Sequence, residues 1–547
     1  MASPPTHQLG LSDFPVELLE MICQYLCLHC QCPHVVDEPT EKVVAWYQGQ
    51  KALARLSRTC RLLCLVAQPI LFHWYHAVDG CDEIPEFQRL SAFVLATLHH
   101  PEQLGMAVKS LALHPPAHDK DTYKSREMTK VRIALKSDAA YRRTVESLGG
   151  YLLTSHVLDT VHLQELALAY LPNVSELSLL RDLRCWTTEF QGTNIILSQI
   201  DQLRKWTYHL PALRYLVFPC RRGKLIEDGV VDSFHIHLAD ILLSRAPNLE
   251  TLIVADGSGW PCTCMRAIFQ KTPWDTCLLR LLRLSISNIG VQELERIVAG
   301  CPALEDIEFF DAANLKPAHY CPLSERTYEM NSGVLEPAKH LGGVRTTLKR
   351  LCYSVLDGRL CIGTTSSTFH LYQGKNYFTR TACPRGLAEG LSFAEFPALE
   401  RLEVEESILY GRVLADALDS GGATPDDLAL QLTTPEAILE RLPPSLLHLR
   451  LGCVVSWPVV LRDMVALSHT GLGGQRYCPQ LETVDLEVFV APPDTEHRFL
   501  VEIMAARGVR VSVSYVSCWE ATRGMLPPRP GAPRVIPYPV QLGADGE

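Results

Sequence analysis

PALERLEV, residues 397–404, is a proline, one residue, then apolar-x-x-apolar-x-apolar. The same unit begins at Pro172 (Val174, Leu177, Leu179), Pro211 (Leu213, Leu216, Phe218), Pro247 (Leu249, Leu252, Val254) and Pro302 (Leu304, Ile307, Phe309). It returns at Pro444 (Leu446, Leu449, Leu451) and Pro479 (Leu481, Val484, Leu486). Copies without the proline stand at Val108–Leu113, Leu163–Leu168, Leu281–Ile286 and Leu348–Tyr353. Chance yields the apolar pattern often in a leucine-rich chain, but not repeatedly with proline at one fixed offset.

The unit has a physical reading. Proline ends a preceding helix and biases the residue before it towards extended geometry. The apolar-x-apolar end alternates as a short strand does. Stretches upstream of prolines, such as HIHLADILLSRA (235–246) and VQELERIVAGC (291–301), have amphipathic helical spacing. Helix, proline turn and short strand in repetition resemble the leucine-rich-repeat plan, in which short parallel strands stack into a sheet and helices cover its outer face. A regular repeat of that type takes about 20–29 residues. The spacing here is irregular, so 114–130, 311–345, 357–390 and 410–435 are read as inserted loops. RGVRVSVSYV (507–516), after a helix near 496–506, is expected to be the last strand. The expected fold class is therefore α/β, an irregular solenoid over residues 81–516. A Pro-rich extended tail follows over 517–547.

The chain has 547 residues, 47% hydrophobic and 20% charged, which supports a large core. A net charge of -10 argues against binding nucleic acid through phosphates. The small cluster Arg221, Arg222 and Lys224 reads as a solvated turn. No run of about 18 apolar residues suggests a membrane span, and the first residues do not have a secretory pattern. The 20 cysteines are therefore expected to be reduced, with Cys23, Cys60 and Cys64 packing as small hydrophobes.

Residues 1–10 are expected to be flexible. Residues 11–80 read as a separate helical module. In LSDFPVELLEMICQYLCL (11–28), Pro15 suits a first helical turn, and Asp13 and Glu17 favour the positive end of the helix dipole. Leu18, Leu19, Ile22 and Leu26 make one apolar face, against which Phe14 can lie. The spacing predicts a second helix over 51–66, carrying Leu53, Leu56, Cys60 and Leu63, and a third over 69–76 opened by Pro69. So thin a unit gains stability by burying an apolar face on a partner.

Residues 11–74 resemble an F-box, and are most similar to the F-box proteins of filamentous fungi. The opening motif of that family is matched by Phe14, Pro15, Val16, Glu17 and Leu18, followed by Ile22 and Leu26. Its second helix is matched by Leu53, Leu56, Ser57, Arg58, Cys60 and Arg61, and its end by Ile70, Leu71 and Trp74. The departure is an insertion at 29–50. The resemblance implies docking on a Skp linker protein, and through it a cullin, by way of Phe14, Pro15, Leu18, Leu19, Ile22, Leu26, Leu53 and Leu56. It implies a substrate-recognition adaptor of an SCF-type ubiquitin ligase, cytoplasmic or nuclear, with a protein target held on the repeats. A binding scaffold without a ligase is the alternative.

Other chemistry is weakly represented. Cys23, Cys27, His29, Cys30, Cys32 and His34 could supply zinc ligands, but Cys23 and Cys27 fall on periodic helix positions and no second ligand pair follows at finger spacing. Cys262 and Cys264 form a weaker candidate. Gly257-Ser258-Gly259 lacks the nucleophile-elbow spacing, and no phosphate-binding loop is present. His235 and His237 are two apart and would point to different faces of a helix. The expectation is a chain that is not an enzyme, with no catalytic set, no cofactor and no metal.

Overall fold

The computed structural model describes residues 14–32, 40–76, 86–113, 171–179, 210–218, 246–255, 279–287, 291–311, 335–355, 390–411, 439–454, 456–468, 477–488 and 492–515, with short pieces at 11, 133, 167–168, 234–235 and 257–258. The loops expected at 114–130 and 357–389, most of those at 311–345 and 410–435, Arg221–Lys224, His34, His237, Cys262, Cys264 and the tail lie outside the described residues.

Twelve strands form one parallel sheet in chain order: β1 (Trp74–His76), β2 (Ser110–Leu113), β3 (Glu176–Leu179), β4 (Tyr215–Phe218), β6 (Thr251–Ala255), β8 (Leu281–Ser287), β9 (Asp306–Asp311), β10 (Arg350–Val355), β11 (Arg401–Glu405), β12 (His448–Val454), β13 (Thr483–Val488) and β14 (Arg510–Tyr515). Two short strands, β5 (Phe234–His235) and β7 (Gly257–Ser258), pair separately. The α/β class and the long parallel sheet expected from the repeats are found.

All seven proline units enter the sheet, each through the same turn. The amide of Leu399 donates to the Phe396 carbonyl at 3.1 Å, and Val174, Leu213, Leu249, Leu304, Leu446 and Leu481 make the equivalent bond three residues back. Proline thus sits at the second position of a β-turn, where its fixed φ suits the chain reversal and no donor is lost. The first apolar residue closes the turn, and the next lies on the strand facing the core. Register aligns Leu111, Leu177, Leu216, Leu252, Leu282, Ile307, Leu351, Leu402, Leu449, Val484 and Val511 in one row. The first ten are buried in a single core cluster, and Val511 packs at its edge.

Helices cover that row. Among those described are α5 (Glu86–His99), α6 (Val291–Gly300), α7 (Pro337–His340), α8 (Glu406–Tyr410), α9 (Trp457–Ser468) and α10 (Asp494–Ala506). Leu90 and Val94 of α5, Leu294 and Ile297 of α6, Val460 and Met464 of α9, and Leu500 and Met504 of α10 join the same cluster. Their three- and four-residue spacing is why these segments are helical.

Two expectations about the repeats need correction. The copy at Leu281–Ile286 is offset by two residues: Leu279 and Leu282 are fully buried, while Leu281 packs on the other side of the sheet with Ala112, Tyr215, Val217 and Ile253. The end of the 311–345 insertion is not a projecting loop, since Leu335, Leu341 and Val344 enter the core.

The amino-terminal helices also differ from expectation. They are α1 (Val16–Tyr25), α2 (Leu28–Gln31), α3 (Thr40–Leu56) and α4 (Arg61–Leu71). The helix expected over 51–66 is broken at 57–60. There Ser57 Oγ and Thr59 Oγ1 donate to the carbonyls of Ala54 and Leu56 at 3.0 and 2.8 Å, and Cys60 is extended. Short hydroxyl side chains that bond the backbone locally compete with helix propagation. The described residues of the insertion at 29–50 are largely helical, forming most of α2 and about the first two-thirds of α3. Pro69 opens no third helix: α4 runs through it, and Trp74–His76 is β1. That strand pairs with β2, beginning where the amides of Lys109 and Ser110 donate to the His73 carbonyl at 2.8 and 2.9 Å. An available sheet edge satisfies this backbone better than an isolated helical turn would.

Candidate functional site

The amino-terminal helices have their own small core. Leu19 and Cys23 of α1 meet Leu53 of α3 and Leu63, Val66, Ala67 and Ile70 of α4, with Cys27, Leu28 and Trp74. Gly49 of α3 makes the fit possible: a Cβ there would run into the Leu26 carbonyl at the end of α1.

The opposite side of α1 is bare. Leu11, Phe14, Leu18, Ile22 and Tyr25, spaced three or four apart, are all exposed, and Val16 and Met21 flank them. Of the residues expected to dock a partner, Phe14, Pro15, Leu18 and Ile22 therefore lie on one exposed stripe. Leu19 and Leu53 lie in the small core instead, and Leu26 and Leu56 are half-buried against it. Tyr25 and Met21 were missed by the sequence reading, although Tyr25 continues the i, i+3, i+7 spacing from Leu18.

The sheet face away from the helices divides into two chemical zones. Near the amino-terminal strands it carries the apolar group of Ala112, Tyr215, Val217, Ile253 and Leu281. Further along it carries a charge ladder. Arg350 on β10 donates to Glu308 on β9 at 2.6 Å, to Asp306 at 3.1 Å and to Glu403 on β11 at 3.0 Å. Arg401 reaches the same Glu403 oxygen at 2.8 Å, and Arg450 on β12 bridges Glu403 and Glu487 at 3.3 and 2.5 Å. Burial alone would raise the Glu403 carboxyl, but Arg350, Arg401 and Arg450 outweigh it and hold it below the ordinary carboxylate range. Arg401, His448, Arg450, Thr483 and Asp485 line a shallow cleft beside the ladder. Such a face can present paired charges and hydrogen-bonding groups to a polypeptide.

A third cluster is chemical in a different way. The ligand atoms of Cys27, Cys30 and His73 all lie within 4.8 Å of one another, with Cys30 Sγ 3.3 Å from His73 Nδ1. The His29 ring stands edge-on to that of His73, centroids 5.6 Å apart. Hydrogen bonding from Cys27, against the opposing effect of burial, together with His29 and His73, pulls the Cys30 thiol far below its usual range. The C-x-x-C spacing of Cys27 and Cys30 was legible. His73, 43 positions away, had no sequence signal because it reaches the cluster only through the fold. Cys23 is buried in the small core, as a packing cysteine should be, whereas Cys60 is exposed at the break between α3 and α4 and does not pack as expected. His235 is on β5 and not on a helix.

Among the described residues no helix is long and apolar enough to cross a membrane. No protein-family model matches the chain, and no curated protein matches its sequence.

Proposed function

We propose that this protein is a binding adaptor that joins a helical partner at its amino-terminal module to a protein target on its repeat sheet. The partner is a Skp linker protein, and through it a cullin, so that the chain acts as a substrate-recognition subunit of an SCF-type ubiquitin ligase. The amino-terminal module is then the F-box, and the repeats are a leucine-rich solenoid.

One observation carries the reading: the stripe of Phe14, Leu18, Ile22 and Tyr25 is exposed while its own helix buries Leu19 and Cys23 on the other side. A contiguous apolar stripe in water is costly to leave bare and characteristic of protein contact sites. Each such side chain, fully buried on a partner, contributes about 1.5–3 kcal/mol. The adaptor adds no nucleophile or base. It raises the local concentration of target lysines beside an enzyme bound elsewhere in the assembly.

The experiment is co-purification of the full chain with the Skp linker protein. Phe14→Ala with Ile22→Ala is expected to reduce retention tenfold or more, because two half-exposed anchors are lost without disturbing the module's core. Unchanged retention rejects the docking face. A chain that holds the Skp protein but never brings a cullin with it rejects the ligase and leaves a scaffold.

A further inference from the structure

The cluster at Cys27, Cys30 and His73 is not needed to fold α1 against α4, which Leu19, Leu63, Val66 and Ile70 accomplish. Packing explains Cys27, which is fully buried, but not Cys30, which is exposed and still turned towards His73. The backbone fixes all three positions. The Cys27 amide donates to the Gln24 carbonyl at 3.0 Å, and the Cys30 amide to the Cys27 carbonyl at 3.1 Å. The His73 amide donates to Ile70 at 3.1 Å, and its carbonyl takes both amides that start β2. Two cysteines from one short turn and a histidine from a distant junction therefore converge without a loop having to reorganise.

From this geometry we infer that Cys27, Cys30 and His73 form a zinc site with three protein ligands, a water completing the tetrahedron. A tetrahedral zinc ion with bonds of about 2.3 Å to sulfur and about 2.0–2.1 Å to nitrogen places its ligand atoms roughly 3.6–3.8 Å apart. The observed separations, 3.3 Å for one pair and under 4.8 Å for all, bracket that spacing, so the ion enters with sub-ångström to ångström adjustments. Two thiolates and imidazole select zinc over magnesium or calcium, which take oxygen. Binding forms zinc–sulfur and zinc–nitrogen bonds and releases the thiol protons to solvent, with no change of oxidation state.

The site joins the α1–α2 corner to the junction between α4 and β1, the first strand of the sheet. Zinc would thus lock the helical module onto the repeat array. This inference stands apart from the adaptor reading, since none of its ligands lies on the exposed stripe.

The test uses the full chain, purified under reducing conditions without chelator and equilibrated with zinc and, separately, cobalt. Expected are about one zinc per chain and, with cobalt, thiolate charge-transfer and tetrahedral absorption bands. Cys30→Ser and His73→Ala, chosen because neither residue is fully buried, should each lower zinc affinity tenfold or more and abolish the cobalt bands. Cys60→Ser, at an exposed cysteine outside the cluster, should change nothing. A chelator should lower the thermal midpoint of the unmodified chain and leave that of Cys30→Ser unmoved. The inference is overturned if the reduced chain takes up no zinc. It is equally overturned if Cys30→Ser or His73→Ala, folded by circular dichroism, retains zinc with unmodified affinity.

Discussion

Arg350 on β10 and Glu403 on β11 meet at 3.0 Å although they are not register partners; Arg350 lies opposite Arg401, and its side chain reaches two residues further along. This diagonal reach places one guanidinium among Glu308, Asp306 and Glu403, and the shared Glu403 oxygen offsets the like charge of Arg401 beside it. Arg350 is only 13% exposed in its side chain, Glu308 2% and Glu403 6%, so all three depend on the contact. Arg350→Met leaves Glu308 buried without its guanidinium. The expected cost is about 3–5 kcal/mol, read as a lower denaturant midpoint. Lys349→Met, which removes an exposed pair with Glu305, should change the midpoint by less than about 1 kcal/mol.

The same ladder predicts a pH dependence. The Glu403 carboxyl is held below its ordinary range in the folded chain. Its contribution to stability is therefore complete above the unfolded carboxylate range and is lost as pH falls through its lower, folded-state value. Glu403→Gln should cost about 1.5–3 kcal/mol at neutral pH, the worth of hydrogen bonds to a charged group. The gap between variant and unmodified chain should close as the solution is acidified. Denaturant midpoints measured from neutral pH downward check this, and a gap that stays constant counts against the assignment.

The sheet was readable in the sequence because its driving force is local and periodic. Each proline unit fixes a turn within four residues and a strand within the next five, so composition and spacing carry nearly the whole signal. Leu399, Leu402 and Val404 could be placed on the buried side from spacing alone. Where leucines crowd, spacing is ambiguous: Leu279, Leu281, Leu282 and Leu284 fit two frames, and pairing with β6 and β9 selects one. β1 was illegible for a related reason. Trp74–His76 has the apolar content of a helix end, and it becomes a strand because β2 offers it an edge. The cross-strand bonds of the charge ladder and the His73 contact join residues 37–53 positions apart, distances over which no local pattern operates.

That choice of frame is itself testable. Leu282 is fully buried in the main core, and Leu281 packs on the smaller apolar group across the sheet. Leu282→Ala should cost about 2–5 kcal/mol, the usual range for a leucine cavity in a packed core. Leu281→Ala should cost clearly less, because water can fill part of the space. Equal losses, or a larger loss at Leu281, would favour the frame that sequence spacing alone suggested.

Leu18 and Leu19 are neighbours on α1 with opposite fates: Leu18 is 43% exposed and Leu19 1%. A carboxylate at position 18 remains in water and breaks no contact in the small core. Leu18→Asp should shift the unfolding midpoint by no more than about 0.5 kcal/mol, as surface changes do. At position 19 the same carboxylate would sit among Cys23, Leu53 and Leu63, inside a cluster of buried apolar side chains. An unpaired charge there is worth several kcal/mol, more than a core of this size can absorb, so Leu19→Asp should melt α1 away from α4. Both variants should lose the helical partner, but for different reasons: Leu18→Asp as a folded chain with a spoiled surface, Leu19→Asp as a chain whose amino-terminal amides exchange freely with solvent. Hydrogen exchange over residues 16–25, run beside partner retention, separates the two. A Leu18→Asp chain that keeps both its protection and its partner would show that the exposed stripe is not the surface being recognised.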